Sequence, residues 1–358
     1  HHRRWNRDTK PSEFAVPLTI DRSNGDFIRI LEELGDRFGI AAVIQPPLRL
    51  KTDPDDDSLA YGEILTSMKR KLRQWFGANV IADVDRKVLA TAKALTISAD
   101  VAASAVRGKH FRQMSDERFL PYFIDNLLDC GLTEGDLKKL IGRWAKANTG
   151  SSRLKPRPFQ IAVAESESLL TFAQAGCGSG KSLAAYLWAQ QRLKRSDEES
   201  IRVIFTLPTT GTATEHYRDY ALESGIDESL QTISHSRAVV DLAYEDKGEE
   251  ALREHRSRIE SLELWGTALT TCTVDTVLGL LANQRKALYS FPAIMRSAIV
   301  FDEIHAYDDV MFGHLMVFLK TFTGIPVLLM TASLPPERLD AIRDIRPDLN
   351  VVHGDRSY

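Results

Sequence analysis

The stretch Ala175-Gly-Cys-Gly-Ser-Gly-Lys181-Ser182 sits between an apolar run, Leu169-Leu-Thr-Phe-Ala173, and a segment of helical period, Ser182-Leu-Ala-Ala-Tyr-Leu-Trp-Ala-Gln-Gln-Arg-Leu193. Strand, glycine-rich turn and helix in that order predict a parallel α/β sheet with a phosphate-cradling loop at a strand end. Gly176, Gly178 and Gly180, with Ser179 among them, leave room for successive backbone N–H groups to converge on phosphate oxygens without a Cβ in the way. Lys181 then supplies a point charge for the β and γ phosphates, and the Ser182 hydroxyl is placed to coordinate Mg²⁺. The helix opens at the phosphates, where its dipole favours negative charge. The first loop position is Ala175 rather than Gly.

A second element completes the chemistry. Ser297-Ala-Ile-Val-Phe301 is a short continuous apolar run, as in a strand covered on both faces, and Asp302-Glu303-Ile304-His305 follows it. Open α/β sheets bind ligands at the carboxyl ends of their strands. Asp302 is therefore expected to hold Mg²⁺, directly or through water, and Glu303 to orient and deprotonate an attacking water. Lys181, Asp302 and Glu303 are the expected catalytic set. An Asp-Glu pair is ordinarily a solvated loop; the strand before it and Ile304-His305 after it favour a site. His305 reads as a link between the nucleotide and a nucleic-acid face.

Three further segments narrow the class. Gln160, in Arg157-Pro-Phe-Gln160, offers an amide able to pair bidentately with adenine. Val203-Ile-Phe-Thr-Leu207 runs into Pro208-Thr209-Thr210-Gly-Thr-Ala-Thr214, and Leu269-Thr-Thr-Cys-Thr273 runs into a helix start. Hydroxyls and backbone amides at strand ends suit phosphate contacts on a single strand, which nominates Thr209, Thr210 and Thr273. Val327-Leu-Leu-Met330 leads into Thr331-Ala-Ser333, a hydroxyl cluster placed to sense the γ-phosphate. Thr-rich turns are commonly only turns; the weight lies in the ordered set.

That set, from Arg157 to about Pro335, resembles the first RecA-like lobe of superfamily 2 helicases. The forms Ala175-Gly-Cys-Gly-Ser-Gly-Lys-Ser-Leu-Ala-Ala185, Thr273-Val-Asp-Thr-Val-Leu-Gly279, Phe301-Asp-Glu-Ile-His-Ala-Tyr-Asp308 and Thr331-Ala-Ser-Leu-Pro335 look like the helicase–nuclease of type I CRISPR interference. The resemblance implies ATP with Mg²⁺, single-stranded DNA as the track, and an RNA-guided CRISPR surveillance complex as recruiting partner. It also implies an HD-type nuclease domain with a divalent transition metal ahead of the helicase. Ala92-Lys-Ala-Leu-Thr-Ile-Ser-Ala-Asp100-Val-Ala-Ala-Ser104 resembles the helix bearing that domain's last metal-binding Asp, and His1-His2 resembles its double-histidine segment. Adjacent histidines also suit a tag remnant, and Asp100 also suits a solvated or paired position. No His-Asp dyad occurs in the sequence. The expectation is a chain that starts inside the nuclease domain and stops before a second lobe with its arginine finger.

The expected fold is thus an α/β RecA-like parallel sheet preceded by an all-α HD-type remnant. The expected domains are residues 1–108 (all-α nuclease remnant), 109–150 (helical connector), 151–345 (ATP-binding lobe) and 346–358 (start of a connection onward). Residues 249–264 read as a charged surface helix. The 358 residues suit two domains, and 46 Lys and Arg against 49 Asp and Glu give a net charge of −3. Any grip on nucleic acid must therefore be local. Cys130, Cys177 and Cys272 form no metal spacing and fit a reducing cytoplasm. No apolar run is long enough to span a membrane. Two other functions remain open at this point: a superfamily 2 RNA or DNA helicase outside CRISPR systems, and a nucleotide-binding adaptor without turnover.

Overall fold

A computed structural model of the chain describes residues 19–21, 49–51, 91–99, 130–149, 154–221, 230–234, 266–282, 284, 287–288 and 290–354. The chain forms two compact units, His1–Val88 and Leu89–Tyr358. In the first, β1 (Thr19–Asp21) pairs antiparallel with β2 (Arg49–Lys51). An all-helical N-terminal region does not anticipate this pair, because strands of three residues are too short to show a period of two. The second unit begins at Leu89. Within it, residues 91–99 are helical, the Ser98 hydroxyl donates to the Leu288 carbonyl at 2.7 Å, and Ala94 packs with Leu288 and Phe291. His1, His2, Asp100 and residues 249–264 lie outside the described residues.

The second unit is built on an eight-stranded sheet. Its elements are β3 (Leu132–Thr133), β4 (Leu170–Gln174), β5 (Ser200–Leu207), β6 (Gln231–Ser234), β7 (Leu269–Thr273), β8 (Ser297–Phe301), β9 (Val327–Thr331) and β10 (Asn350–His353), in the spatial order β10-β4-β9-β8-β5-β7-β6. All these neighbours are parallel; β3 alone pairs antiparallel, with the start of β5. Parallel strands cannot be joined by tight turns, so helices return the chain over both faces. They are α1 (Glu134–Thr149), α2 (Pro158–Ala164), α3 (Lys181–Arg195), α4 (Thr210–His216), α5 (Val274–Leu278), α6 (Phe291–Met295), α7 (Asp309–Thr321) and α8 (Pro336–Ile345).

The central strands are buried on both sides: all five residues of β8 and all five of β9 are buried. Their side chains alternate between two cores, as a period of two requires. Ala298, Val300, Leu328 and Met330 join Leu183, Tyr186 and Trp188 of α3 on one face. Ile299, Phe301, Val327 and Leu329 join Leu315, Phe318 and Leu319 of α7 on the other. This double coverage is why these strands appear in the sequence as unbroken apolar runs. It also sends every chemically interesting residue to the strand ends.

Candidate nucleotide-binding site

The glycine-rich loop leaves the carboxyl end of β4 and enters α3. Gly178 (φ 74°) and Gly180 (φ 81°) have left-handed backbones, which an L side chain would strain. Gly180 is the residue before the first turn of α3, so its conformation sets the angle at which loop N–H groups face the open end of the sheet. The Ser179 hydroxyl is buried in this loop without a hydrogen-bond partner. A buried hydroxyl with no partner in the protein, set among left-handed glycines, suits a ligand rich in oxygen acceptors.

Strand order then assembles the rest. β9 lies between β4 and β8, so the ends of all three strands converge. Ala175 N–H donates to the Thr331 carbonyl at 3.1 Å, and Asp302 N–H donates to the Thr206 carbonyl at 3.0 Å. Lys181 is 8% exposed; its ammonium donates to the Ala175 carbonyl at 3.1 Å and lies 3.8 Å from Glu303 Oε1. Asp302 is 6% exposed, and its carboxylate accepts from Glu303 N–H at 2.8 Å. Burial, reinforced by the neighbouring Glu303 charge, pushes the Asp302 carboxyl up to about 7. Two adjacent carboxylates facing one ammonium leave the pocket short of positive charge. That electrostatic deficit, together with the Ser182 hydroxyl at the loop's end, fits a divalent cation with oxygen ligands.

Glu303 has φ 51° and ψ 42°, the one non-glycine left-handed residue among the described residues. It turns the backbone abruptly from β8 into a single 3₁₀ turn, Ile304–Ala306. On its far side His305 Nδ1 lies 3.0 Å from Glu303 Oε2 and 3.1 Å from Thr331 Oγ1. The Thr331 hydroxyl donates its only proton to the Ser333 carbonyl at 2.7 Å and accepts from Ser333 N–H at 3.3 Å. It can therefore only accept from the imidazole, which assigns the proton to His305 Nδ1. His305, Thr331 and Ser333 form one hydrogen-bonded path, with Glu303 Oε2 within ion-pair distance of the imidazole.

The Gln160 amide is engaged at both ends within the chain. Its Oε1 accepts from Arg157 N–H at 2.9 Å, capping α2, and its Nε2 donates to the Gly180 carbonyl at 3.1 Å. An amide reading adenine would have to exchange both bonds. Arg157, to which the sequence attached no role, donates from its guanidinium to the Gly178 carbonyl at 2.9 Å. Gly354 N–H donates to Gln174 O at 2.8 Å, just below the loop. A side chain there would meet Ala175 Cβ at 2.7 Å. Neither residue carries a local signal, since both depend on which segments the fold brings beside the loop.

The candidate strand-binding residues also cluster. Leu207 at the end of β5 is paired with Thr273 at the end of β7, which brings Thr209, Thr210 and Thr273 to neighbouring strand ends. The Thr209 hydroxyl caps α4 by accepting from Thr212 N–H at 3.2 Å, and Thr273 precedes α5 without a side-chain cap bond. Among the described residues, no group of three or more His, Cys, Asp or Glu side chains could hold a metal by itself. None of the described helices is long and apolar enough to cross a membrane.

The profile of the DEAD/DEAH box helicase family matches residues 159–342, a span running from Gln160 through the loop, the carboxylates and the Thr331 segment. The chain belongs to the DEAD/DEAH box helicase family. Within it, the chain is similar to Cas3 helicases of CRISPR systems. It is 35% identical over 367 residues to the CRISPR-associated nuclease/helicase Cas3 of Myxococcus xanthus, covering 99% of this chain and 44% of that protein. It is 27% identical over 186 residues to the corresponding protein of Methanocaldococcus jannaschii, covering 51% of this chain and 25% of that one. A crystal structure of T. fusca Cas3 with AMPPNP superposes with a TM-score of 0.47 at 19% identity, over 64% of this chain and 26% of that one. The chain thus spans less than half the length of these relatives.

Proposed function

We propose that this chain binds ATP with Mg²⁺ and uses its hydrolysis to move along single-stranded DNA, as the helicase part of a CRISPR-interference helicase–nuclease. The observation that carries the reading is the meeting of Lys181 with Glu303, 3.8 Å apart, beside a phosphate loop whose buried Ser179 hydroxyl has no partner. In this reading Gly176, Gly178, Ser179 and Gly180 receive the phosphates through backbone N–H groups, and Lys181 exchanges the Ala175 carbonyl and Glu303 for phosphate oxygens. Ser182 and Asp302 hold Mg²⁺, which when bound neutralises phosphate charge and fixes its geometry. Glu303, released from Lys181, orients a water and accepts its proton. Gln160 exchanges its two present bonds for the adenine edge.

His305, Thr331 and Ser333 report the γ-phosphate, and Thr209, Thr210 and Thr273 contact the strand. By similarity to relatives named nuclease/helicase, the same proposal includes an HD-type nuclease with a divalent transition metal, His1, His2 and Asp100 being the ligands nominated here. It also includes recruitment by an RNA-guided surveillance complex.

The test is titration with a fluorescent ATP analogue, followed by ATP hydrolysis with and without single-stranded DNA. Lys181→Ala is expected to lose at least tenfold in affinity, because a buried charge on the phosphates is removed. Unchanged affinity in that variant refutes the site.

A further inference from the structure

The abrupt turn at Glu303 is held at both ends. Upstream it is anchored in the sheet, where β8 lies between β9 and β5 and Asp302 N–H donates to the Thr206 carbonyl at 3.0 Å. Downstream, the 3₁₀ turn Ile304–Ala306 runs out at Tyr307. The Tyr307 carbonyl accepts from Arg338 Nη1 at 2.9 Å. A non-glycine residue with φ 51° persists only where the surrounding structure denies the backbone a cheaper conformation. Arg338, in the first turn of α8, grips the chain just beyond that residue.

The guanidinium makes two further contacts. Its Nη2 donates to Asp309 Oδ1 at 2.8 Å, and its central carbon lies 4.6 Å from the centroid of the Phe312 ring. They differ in weight. The Asp309 side chain is 98% exposed, so water and salt screen that ion pair and it contributes little. Phe312 and Tyr307, by contrast, are buried in one core with Ile304. A planar guanidinium laid on the Phe312 ring is pre-oriented toward the Tyr307 carbonyl, as a flexible ammonium would not be. The segments that leave β8 and β9 are therefore joined twice. His305 Nδ1 meets Thr331 Oγ1 at 3.1 Å, and Arg338 holds the Tyr307 carbonyl. A swing of the Glu303 turn relative to Thr331 must lengthen at least one of these bonds.

We propose that Arg338 is a positioning residue for hydrolysis: by pinning the exit of the Glu303 turn it fixes the Glu303 carboxylate and keeps His305 on Thr331. The inference rests on the ATP-hydrolysis reading above. It gives Arg338 a part in turnover that needs no contact with the nucleotide.

The experiment follows ATP hydrolysis by the full chain with Mg²⁺ and single-stranded DNA, read as kcat and KM, beside the affinity for a fluorescent ATP analogue. Arg338→Met keeps an apolar stem over Phe312 and removes the guanidinium. The expected result is a roughly ten- to hundredfold loss in kcat, the effect of displacing a catalytic group by about 1 Å. Analogue affinity and KM should stay within about twofold of the parent, since binding contacts are untouched. Asp309→Asn removes the screened ion pair alone and should keep the parental kcat. Parental kcat in Arg338→Met, or an equal loss of kcat and affinity, overturns the proposal. If Arg338→Met does not fold, Arg338→Lys carries the test, because it keeps the charge and loses the planar fork; its kcat should fall in the same sense. A second readout needs no turnover: the ¹⁵N signals of the His305 imidazole, assigned by their loss in His305→Gln. They should move in Arg338→Met and stay in place in Asp309→Asn, and unmoved signals in Arg338→Met overturn the proposal. Glu303→Gln is run alongside and must lose turnover while binding the analogue. If it does not, the hydrolysis reading fails; if it does and Arg338→Met turns over as the parent does, only the role of Arg338 fails.

Discussion

Glu303 holds a left-handed backbone at φ 51° and ψ 42°, a conformation that costs an ordinary L-residue about 1–2 kcal/mol. The comparison that isolates this strain is Glu303→Gly against Glu303→Ala. Both variants lose the carboxylate, so the contacts with Lys181 and His305 cancel from the difference. What remains is the Cβ. Glycine removes the left-handed penalty and adds about 0.5–1 kcal/mol of unfolded-state freedom. The net expectation is that Glu303→Gly is more stable than Glu303→Ala by about 0.5–1 kcal/mol, the reverse of the order at an unstrained position. For a lobe of this size that is about 1–4 °C in Tm. Paired thermal and urea unfolding curves measure it. A Glu303→Ala protein as stable as Glu303→Gly, or more so, would refute the argument that the turn stores strain. The two variants should be equally unable to hydrolyse ATP, which would tie the retained strain to the carboxylate's work.

Glu303→Gln should bind the ATP analogue as the parent does yet hydrolyse ATP roughly 10²–10⁴-fold more slowly, measured by phosphate release. Burial holds the His216 imidazole at about 3 against an ordinary 6.5, so the unfolded chain binds the extra proton between those values. The stability due to neutral His216 is complete above pH 6.5 and is lost as pH falls toward 3, by up to about 1.4 kcal/mol per pH unit. In urea unfolding between about pH 4 and 6, His216→Phe should flatten that slope. Gly354→Ala places a Cβ 2.7 Å from Ala175 Cβ and 3.2 Å from the Phe159 ring, and should destabilise the lobe by about 1–3 kcal/mol in the same assay.

The sheet was legible because its central strands are covered on both faces. Ser297–Phe301 and Val327–Thr331 have no solvent-facing residues to interrupt the apolar run, and Ser297–Phe301 matches the expected strand residue for residue. The phosphate loop was legible because backbone geometry demands glycine at Gly178 and Gly180, leaving a mark in the sequence. At the N-terminal end the opposite holds. β1 and β2 are three residues each and are defined by pairing with one another across 28 or more positions, which no local period encodes.

By itself, then, the amino-acid order determined the class of lobe, the strands and the groups proposed to face a nucleotide, since each depends on local period or local backbone need. Which of those groups meet was decided only in three dimensions. The interposition of β9 between β4 and β8 brings Lys181 to Glu303 and His305 to Thr331. Packing of α2 on the loop engages Gln160 with Gly180. Hydrogen bonds reach only about 3 Å, and the order of strands in the sheet, not their order in the chain, determines who lies within that distance.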